Sequence, residues 1–523
     1  MSDLPSDSAA VSRKTTDAPA LRMMPWLAAG AAIALYAGER LSAFSYTAMQ
    51  FGVLSREAQR FSDLPPLPNH LLYSHLLWTM AQFARALGAE KPGTLGIAQM
   101  LSALGAGAAA GLFFWRLKAI VFDWGIALLA ACLAGASFAV WFAAIEGAPQ
   151  ALALALGLAS LALAWPAAGR PSAWTLAGAG LLAAAAACLD AGAALWIAPL
   201  GAAAALGSTP KQAAARALAL AGSACLALAL AYSIMGALAI RAGHTPGYGA
   251  WLSLLAPVRA DEPAGAAMRA FAYFKSFKYA LVYRAPWIAA IPFTLVFFGL
   301  PGAWRVHRGP VLVFGLWAAG GALRALFADM ADTDVWALAM PGVAGLFACS
   351  LDSALRPSGR RRFLKPAMLA GVLQAFLFIG CIHGWLPRFE KVEAYPAYRQ
   401  AVERLARESA NSADLIVAPS GYFSLIFRYE TGRWSAVDSA GFRASAAERG
   451  ETPDAAARRM IRAALERGGA VFAPEELFDE TSAMFVHSGF WPGLAGQLRQ
   501  ALPGEGAPVD GIEPPLRFLA WKS

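Results

Sequence analysis

About eleven strongly apolar stretches fill residues 24–387, and the basic residues between them fall at every second junction. Roughly 20 apolar residues suffice for a helix to cross the hydrocarbon core, where only helices and closed barrels satisfy their own backbone groups. Segments 94–115, 125–144, 280–300 and 366–386 meet that length. The chain has 523 residues, of which 58% are hydrophobic and only 15% charged, with a mean hydropathy of +0.48. That composition excludes a large water-soluble helical protein. The expected fold class is an α-helical polytopic membrane protein of about 11 transmembrane helices.

Lys and Arg are retained on the cytoplasmic side of short loops, so their positions assign the two faces. Arg13, Lys14 and Arg22 precede the first span and place the N-terminus in the cytoplasm. Arg116 and Lys118, Arg170, Lys211 and Arg216, Arg305 and Arg308, then Arg356, Arg360, Arg361, Arg362 and Lys365 mark the later cytoplasmic turns. The alternation then puts Glu39, Glu57, Asp63, Glu146, Asp190, Asp261, Glu262, Asp329, Asp332 and Asp334 on or near the outer face. The net charge of +9 follows from this retention beside anionic lipid and does not imply nucleic-acid binding.

One stretch disturbs the count. Residues 70–88 are apolar but carry His70, His75, Gln82 and Arg85, which suits an interfacial helix better than the bilayer centre. Removing it from the spans makes the alternation consistent and extends the first outer loop over residues 39–93. Residues 1–23 read as a disordered cytoplasmic tail, with no cleavable signal peptide. Cys132, Cys188, Cys225, Cys349 and Cys381 all lie in apolar segments, so no disulfide framework is expected, and the six histidines show no zinc spacing.

After residue 387 the composition becomes mixed. Helical patterns at 396–410 and 453–467 alternate with strand patterns at 414–419, 470–474 and 516–521, which predicts a small extracytoplasmic α/β domain over 388–523. The run Asp414-Leu-Ile-Val-Ala-Pro-Ser420 followed by Gly421 offers either a ligand cradle at a strand end or only a turn.

Ionisable groups at membrane depth are expensive and default to functional candidates. Glu146 ends the third span in Trp141-Phe-Ala-Ala-Ile-Glu146, and Asp190 ends the fifth in the same leaflet. In the first outer loop, Pro65-Pro-Leu-Pro-Asn-His-Leu-Leu-Tyr73 puts His70 and Tyr73 on one helical face. Bases and aromatics interleave in the outer segment 241–284: Arg259, Arg269, Lys275, Lys278 and Arg284 stand among Phe271, Tyr273, Phe274, Phe277, Tyr279 and Tyr283. Such a mixture either anchors the interface or receives a phosphate at headgroup level with an isoprenoid tail alongside. Arg324, one turn inside the ninth span, either snorkels outward, pairs with Asp329, or binds a phosphate.

Three of these features resemble the glycosyltransferase C superfamily, in particular its bacterial protein-mannosyltransferase-like branch. Residues 65–73 are similar to the family's His-Pro-Pro-Gly-x-Pro-Leu-Tyr element. Trp141 to Glu146 resembles its Trp-x-x-x-x-Glu turn, and residues 327–341, with Asp332, Asp334 and Trp336, resemble its late outer turn. The resemblance implies an enzyme that takes a sugar from a polyprenyl-phosphate carrier at the outer face of a bacterial inner membrane. Where the family carries an acidic residue soon after the first span, the closest register here runs from Ser45 to Thr47.

The chemistry can be stated independently of the family. An acceptor hydroxyl attacking a sugar C1 needs a carboxylate for its proton, and a departing phosphate needs cations or a metal. Glu57 or Glu39 is the expected base, with Asp63 and Glu146 as partners or ligands of a possible divalent metal. His70, Tyr73, Arg259, Lys275, Lys278, Arg284 and Arg324 are the expected substrate contacts. The expected partners are a polyprenyl-phosphate-linked sugar, the lipid bilayer and an acceptor glycan, lipid or protein. Transfer proceeds by direct displacement with inversion. The alternative is a catalytically silent scaffold that binds a partner in envelope assembly. A transporter is disfavoured, because no inverted repeat or paired broken segments are evident.

Overall fold

The computed structural model describes residues 19–38, 46–89, 93–165, 170–255, 266–281, 286–327, 334–355, 395–409, 411–482, 484–485, 490–512 and 516–522. Up to residue 355 it is helical. The helices are α1 (Pro19–Gly38), α2 (Tyr46–Glu57), α3 (Tyr73–Ala86), α4 (Thr94–Lys118), α5 (Trp124–Gly135), α6 (Phe138–Glu146), α7 (Pro149–Ala164) and α8 (Ala173–Leu189). They continue with α9 (Ile197–Ala205), α10 (Pro210–Arg241), α11 (Tyr248–Ser253), α12 (Ala266–Leu281), α13 (Pro286–Val306), α14 (Arg308–Phe327) and α15 (Met340–Leu355).

Among the described residues four helices are long and apolar enough to cross a membrane: Thr94–Lys118, Pro210–Arg241, Arg308–Leu326 and Val335–Leu355. The stretch 125–144, expected as one span, is instead broken into α5 and α6, which meet at 59°. Ser137, extended at φ −60° and ψ 141°, makes the break. Other apolar stretches form shorter helices, Met23–Gly38, Pro149–Ala164, Ala173–Leu189 and Ala191–Ala205. At 1.5 Å per residue, such helices reach roughly 24 Å, less than the hydrocarbon thickness of about 30 Å. The expected last span, 366–386, lies outside the described residues, as do residues 1–18 of the expected tail 1–23, whose residues 19–23 instead form the start of α1. Within 70–88, helix α3 has 14 residues. The first outer loop is not merely loop, however, because it also contains α2.

Small residues bring the spans together. A Cβ on Gly111 of α4 would lie 2.8 Å from the Pro25 carbonyl of α1, and one on Gly107 would lie 2.9 Å from the Ala29 carbonyl. In lipid, where apolar burial alone drives little association, such backbone approach is what holds helices together. Helix α10 shows the opposite face: Leu218, Leu226, Leu230 and Ile234 are exposed outward, as lipid contact allows. On the side assigned to the cytoplasm, Asp352 of α15 accepts from the Phe122 amide at 2.8 Å and pairs with His307 Nε2 at 2.7 Å. Both side chains are buried, and the spacing of the residues gave no hint of the pairing.

The C-terminal unit begins at α16 (Tyr395–Glu408) and continues through β1 (Leu415–Val417), α17 (Gly421–Thr431), β2 (Ala436–Val437), α18 (Ser439–Arg449), α19 (Pro453–Glu466), β3 (Ala470–Pro474), α20 (Leu494–Ala501), β4 (Ala507–Pro508) and β5 (Phe518–Lys522). Its sheet order is β2-β1-β3-β5-β4, with β1 parallel to β2 and β3, and β5 antiparallel to β3 and β4. Alternate residues face opposite layers. Ile416, Phe472 and Phe518 pack with Val402, Leu405 and Phe423. Val417, Val471 and Trp521 pack with Phe442, Ile461 and Leu498. The helices and strands expected at 396–410, 414–419, 453–467, 470–474 and 516–521 are present within a few residues, while α17, β2, α18, α20 and β4 were not anticipated. Ala48 and Met49 of α2, together with Leu95, join the first of these two cores. The outer loop and the C-terminal unit therefore share one hydrophobic centre.

Candidate active site

The proline-rich segment of the outer loop is tethered from several sides. Prolines have no N–H to satisfy, but their carbonyls still need donors. Trp251 Nε1 donates to the Pro66 carbonyl at 2.6 Å and the Tyr232 hydroxyl to the Pro68 carbonyl at 2.7 Å. Asn69 Nδ2 donates to the Leu254 carbonyl at 2.9 Å, and the Leu72 amide donates to the Cys188 carbonyl at 3.0 Å. His70 Nδ1 lies 2.9 Å from the Leu189 carbonyl. A carbonyl only accepts, so Nδ1 carries a proton and donates.

Tyr73 begins α3 and is fully buried. Its hydroxyl donates to the Gly147 carbonyl at 2.5 Å. Gly147 has φ +99°, the left-handed conformation that glycine adopts at the end of a helix. The hydroxyl of Ser102 on α4 donates to the next carbonyl, Ala148, at 2.8 Å. Two hydroxyls from two helices thus fix the turn that carries Glu146, itself 2% exposed. Burial pushes the Tyr73 phenol well above its ordinary range; the Ser102 hydrogen bond opposes this and the negative charge of Glu146 reinforces it. Tyr73 is accordingly a permanent donor.

On the other side of His70, Asp190 follows α8 and is 1% exposed. Its Oδ1 accepts from the Gly192 amide at 2.8 Å, capping the 3₁₀ segment Ala191–Trp196. Arg324 Nε lies 3.8 Å from the same oxygen. A Cβ on Gly192 would fall 2.5 Å from the Arg324 side chain, so the glycine makes room for the arginine stem. Among the described residues the partner of Arg324 is Asp190; Asp329, one of the readings made from the sequence, lies outside them. Two residues before Arg324, the Ala322 carbonyl accepts from the Tyr273 hydroxyl of α12 at 3.1 Å. Trp336 joins the same helix, donating to Ser276 Oγ at 3.0 Å and packing on Phe277 with ring centroids 4.5 Å apart. Lys275 and Lys278 lie on the same helix, with Lys278 Nζ over the Tyr279 ring at 4.5 Å.

The structure brings Tyr73 and Glu146 together, and it sets His70 beside the Asp190–Arg324 turn. It gives other expected residues different work. Both carboxylate oxygens of Glu57 accept from the Arg428 guanidinium of α17, so the expected general base is a paired carboxylate. Asp63 is exposed, and its Oδ2 accepts from the Gln59 and Arg60 amides at 3.1 and 2.8 Å, closing a local turn. Glu39, Arg259 and Arg284 lie outside the described residues, as does the side chain of Arg269. Among the described residues no three His, Cys, Asp or Glu side chains stand close enough to hold a metal ion. At the strand end before Gly421, the Ser420 hydroxyl accepts from the Phe423 amide at 3.2 Å and caps α17.

Ser102 and Gly192 were not singled out in the sequence, and Asp190 was noted only as a helix end. Asp190-Ala-Gly192 directly after an apolar helix was the available signal.

This arrangement sits in a known architecture. The chain shares its fold with ArnT. A crystal structure of ArnT from Cupriavidus metallidurans bound to undecaprenyl phosphate matches with a TM-score of 0.60 and 12% sequence identity, covering 97% of this chain and 98% of that one. The expected fold, a polytopic helical part followed by a small C-terminal sheet, is thus the fold observed, and it is the fold of ArnT. No protein-family model matches the chain, and no curated protein matches it in sequence. At this identity the likeness to ArnT is one of fold.

Proposed function

We propose that this protein is a membrane glycosyltransferase that takes a sugar from a polyprenyl-phosphate carrier and delivers it to a glycan, lipid or protein acceptor at the outer face of a bacterial inner membrane. The observation that carries this reading is the likeness to ArnT, a protein solved with undecaprenyl phosphate, over nearly the whole chain. The placement of charge supports it. Arg324 near the end of α14 suits a departing phosphate, as do Lys275 and Lys278 on α12. Glu146 stands beside a permanently protonated Tyr73 and suits the acceptor's proton.

In this reading the acceptor oxygen bonds to the sugar C1 while the bond from C1 to the carrier phosphate oxygen breaks. The electron pair leaves with the phosphate, and the acceptor proton passes to a carboxylate. Glu146 is the preferred base among the described residues, with Glu39 as the other candidate. The membrane part 24–387 and the unit 388–523 then divide the work between chemistry and docking, with the N-terminus cytoplasmic and the C-terminal unit outside.

The test is sugar transfer from a polyprenyl-phosphate donor by the full chain in proteoliposomes. Glu146→Gln and Arg324→Gln should each lose about a hundredfold or more in kcat/KM, as removal of general acid–base or charge-stabilising groups does. Turnover at the unmodified level in both variants removes this mechanism. The scaffold reading has one observation in its favour, namely that Glu57 and Asp63 are both engaged in local structure. Failure of the whole protein to bind a polyprenyl phosphate would select it.

A further inference from the structure

We propose that Glu57 is a positioning residue, and that its ion pair with Arg428 makes the geometry of the Tyr73 site depend on docking of the C-terminal unit. Helix α2 has two working stripes. On one, Ala48 and Met49 are buried in the C-terminal core beside Val402, Ile416 and Phe423. Farther along this stripe, Arg56 donates to the Tyr429 carbonyl and lies over the Tyr429 ring at 4.9 Å. On the neighbouring stripe, Phe51 stands edge-on to His70 at 5.3 Å and to Tyr73 at 5.0 Å. One turn on, the Ser55 hydroxyl donates to the Ser74 carbonyl at 3.1 Å. The same short helix therefore touches the C-terminal core with one stripe and the two motif residues of the site with the other.

Glu57 closes this helix. Its carboxylate takes two hydrogen bonds from Arg428, whose guanidinium also lies over the Trp434 ring. The side chains are 25% and 15% exposed, so the pair is shielded far more than an ordinary surface bridge. A planar guanidinium gripping both carboxylate oxygens fixes direction as well as distance. A 12-residue helix is too short to hold its shape alone, so the two ends of α2 are set by what they dock on. Rotating or lifting α2 would carry Phe51 away from His70 and Tyr73. Because α2 cannot leave one surface without disturbing the other, the C-terminal unit and the site are mechanically linked.

The consequence for catalysis rests on the function proposed above, whereas the linkage itself does not, and the experiment separates the two. Full-length protein in nanodiscs is compared as Glu57→Gln, Arg428→Gln, the milder Arg428→Lys, and the charge swap Glu57→Arg with Arg428→Glu. Hydrogen exchange is read by mass spectrometry in residues 46–57 and 70–86, alongside kcat and KM for transfer. The expected result is about tenfold faster exchange in both segments for the single Gln variants, with a smaller effect for Arg428→Lys and protection restored in the swap. Turnover should fall through kcat and recover in the swap. Unchanged exchange in 70–86 while 46–57 loosens would overturn the linkage. Restored protection without restored turnover would show that the carboxylate of Glu57 itself is needed, and would overturn the positioning role. If the unmodified protein transfers no sugar, the function fails alone, and the exchange data still decide the linkage.

Discussion

Removing one oxygen from Tyr73 is the sharpest probe of the turn that holds Glu146. Tyr73→Phe preserves the ring and its edge-on contact with Phe51, and deletes only the donor to the Gly147 carbonyl. That carbonyl is then left buried without its hydroxyl partner, at a cost of roughly 1–3 kcal/mol. Ser102→Ala deletes the donor to the adjacent carbonyl, Ala148, at a similar cost. The two carbonyls belong to one turn, so the costs should not add: once either anchor is gone, the turn can relax and the second anchor holds less. A coupling energy of at least about 0.5 kcal/mol, making the double variant less destabilised than the sum, is expected for groups so close. The assay is reversible unfolding of the full chain in mixed micelles, run as a double-mutant cycle, with transfer activity measured on the same preparations. A Tyr73→Phe variant within about 0.3 kcal/mol of the parent, or strict additivity, would refute the claim that these hydroxyls jointly fix the Glu146 turn.

Other outcomes follow from individual contacts. His75 is 4% exposed, and burial pulls its pKa from 6.5 down to about 4, with a backbone hydrogen bond at Leu71 opposing the shift. The unfolded chain then binds more protons between those values, so stability falls as pH drops from about 6.5 toward 4, by up to about 3 kcal/mol. His75→Phe should flatten that acid limb in a melting-versus-pH series, and an unaltered limb would disprove the assignment. Gly111→Leu should push α1 off α4 and cost more than about 2 kcal/mol, since even a Cβ there meets a backbone carbonyl at 2.8 Å. A variant as stable as the parent would show that the two helices are free to separate. Asp352→Ala should cost about 2–4 kcal/mol by stripping the acceptor from His307 and from the Phe122 amide, read by the same micellar unfolding. A loss below about 0.5 kcal/mol would mean those groups find other partners.

The elements that were legible in the sequence are those governed by local rules. A long apolar run such as Thr94–Lys118 can only be a helix in lipid, and the strand Ala470–Pro474 was bounded correctly by its own apolar residues and flanking turns. The break at Ser137 was not anticipated, because Gly125 to Ala144 is long and apolar enough for one span and a lone serine after Gly135 is also compatible with a continuous helix in lipid. Helix α2 was missed for a different reason: its residues alternate between two buried surfaces supplied by distant parts of the chain, so no single apolar stripe appears in it.

Sequence by itself determined that this chain crosses a membrane, which turns carry the bases, that an α/β unit follows, and that His70, Tyr73 and Glu146 merit attention. Those conclusions depend on transfer free energy and chain-local periodicity, which every residue carries with it. Only the tertiary structure decided which charges are spoken for. Glu57 reads in sequence as a free carboxylate in an outer loop, and Arg428 lies 371 positions away. Asp190 reads as a helix end until Arg324 is laid across Gly192. A charge's function is set by the groups within a few ångströms of it, and in a folded chain those neighbours are chosen by packing rather than by position along the sequence.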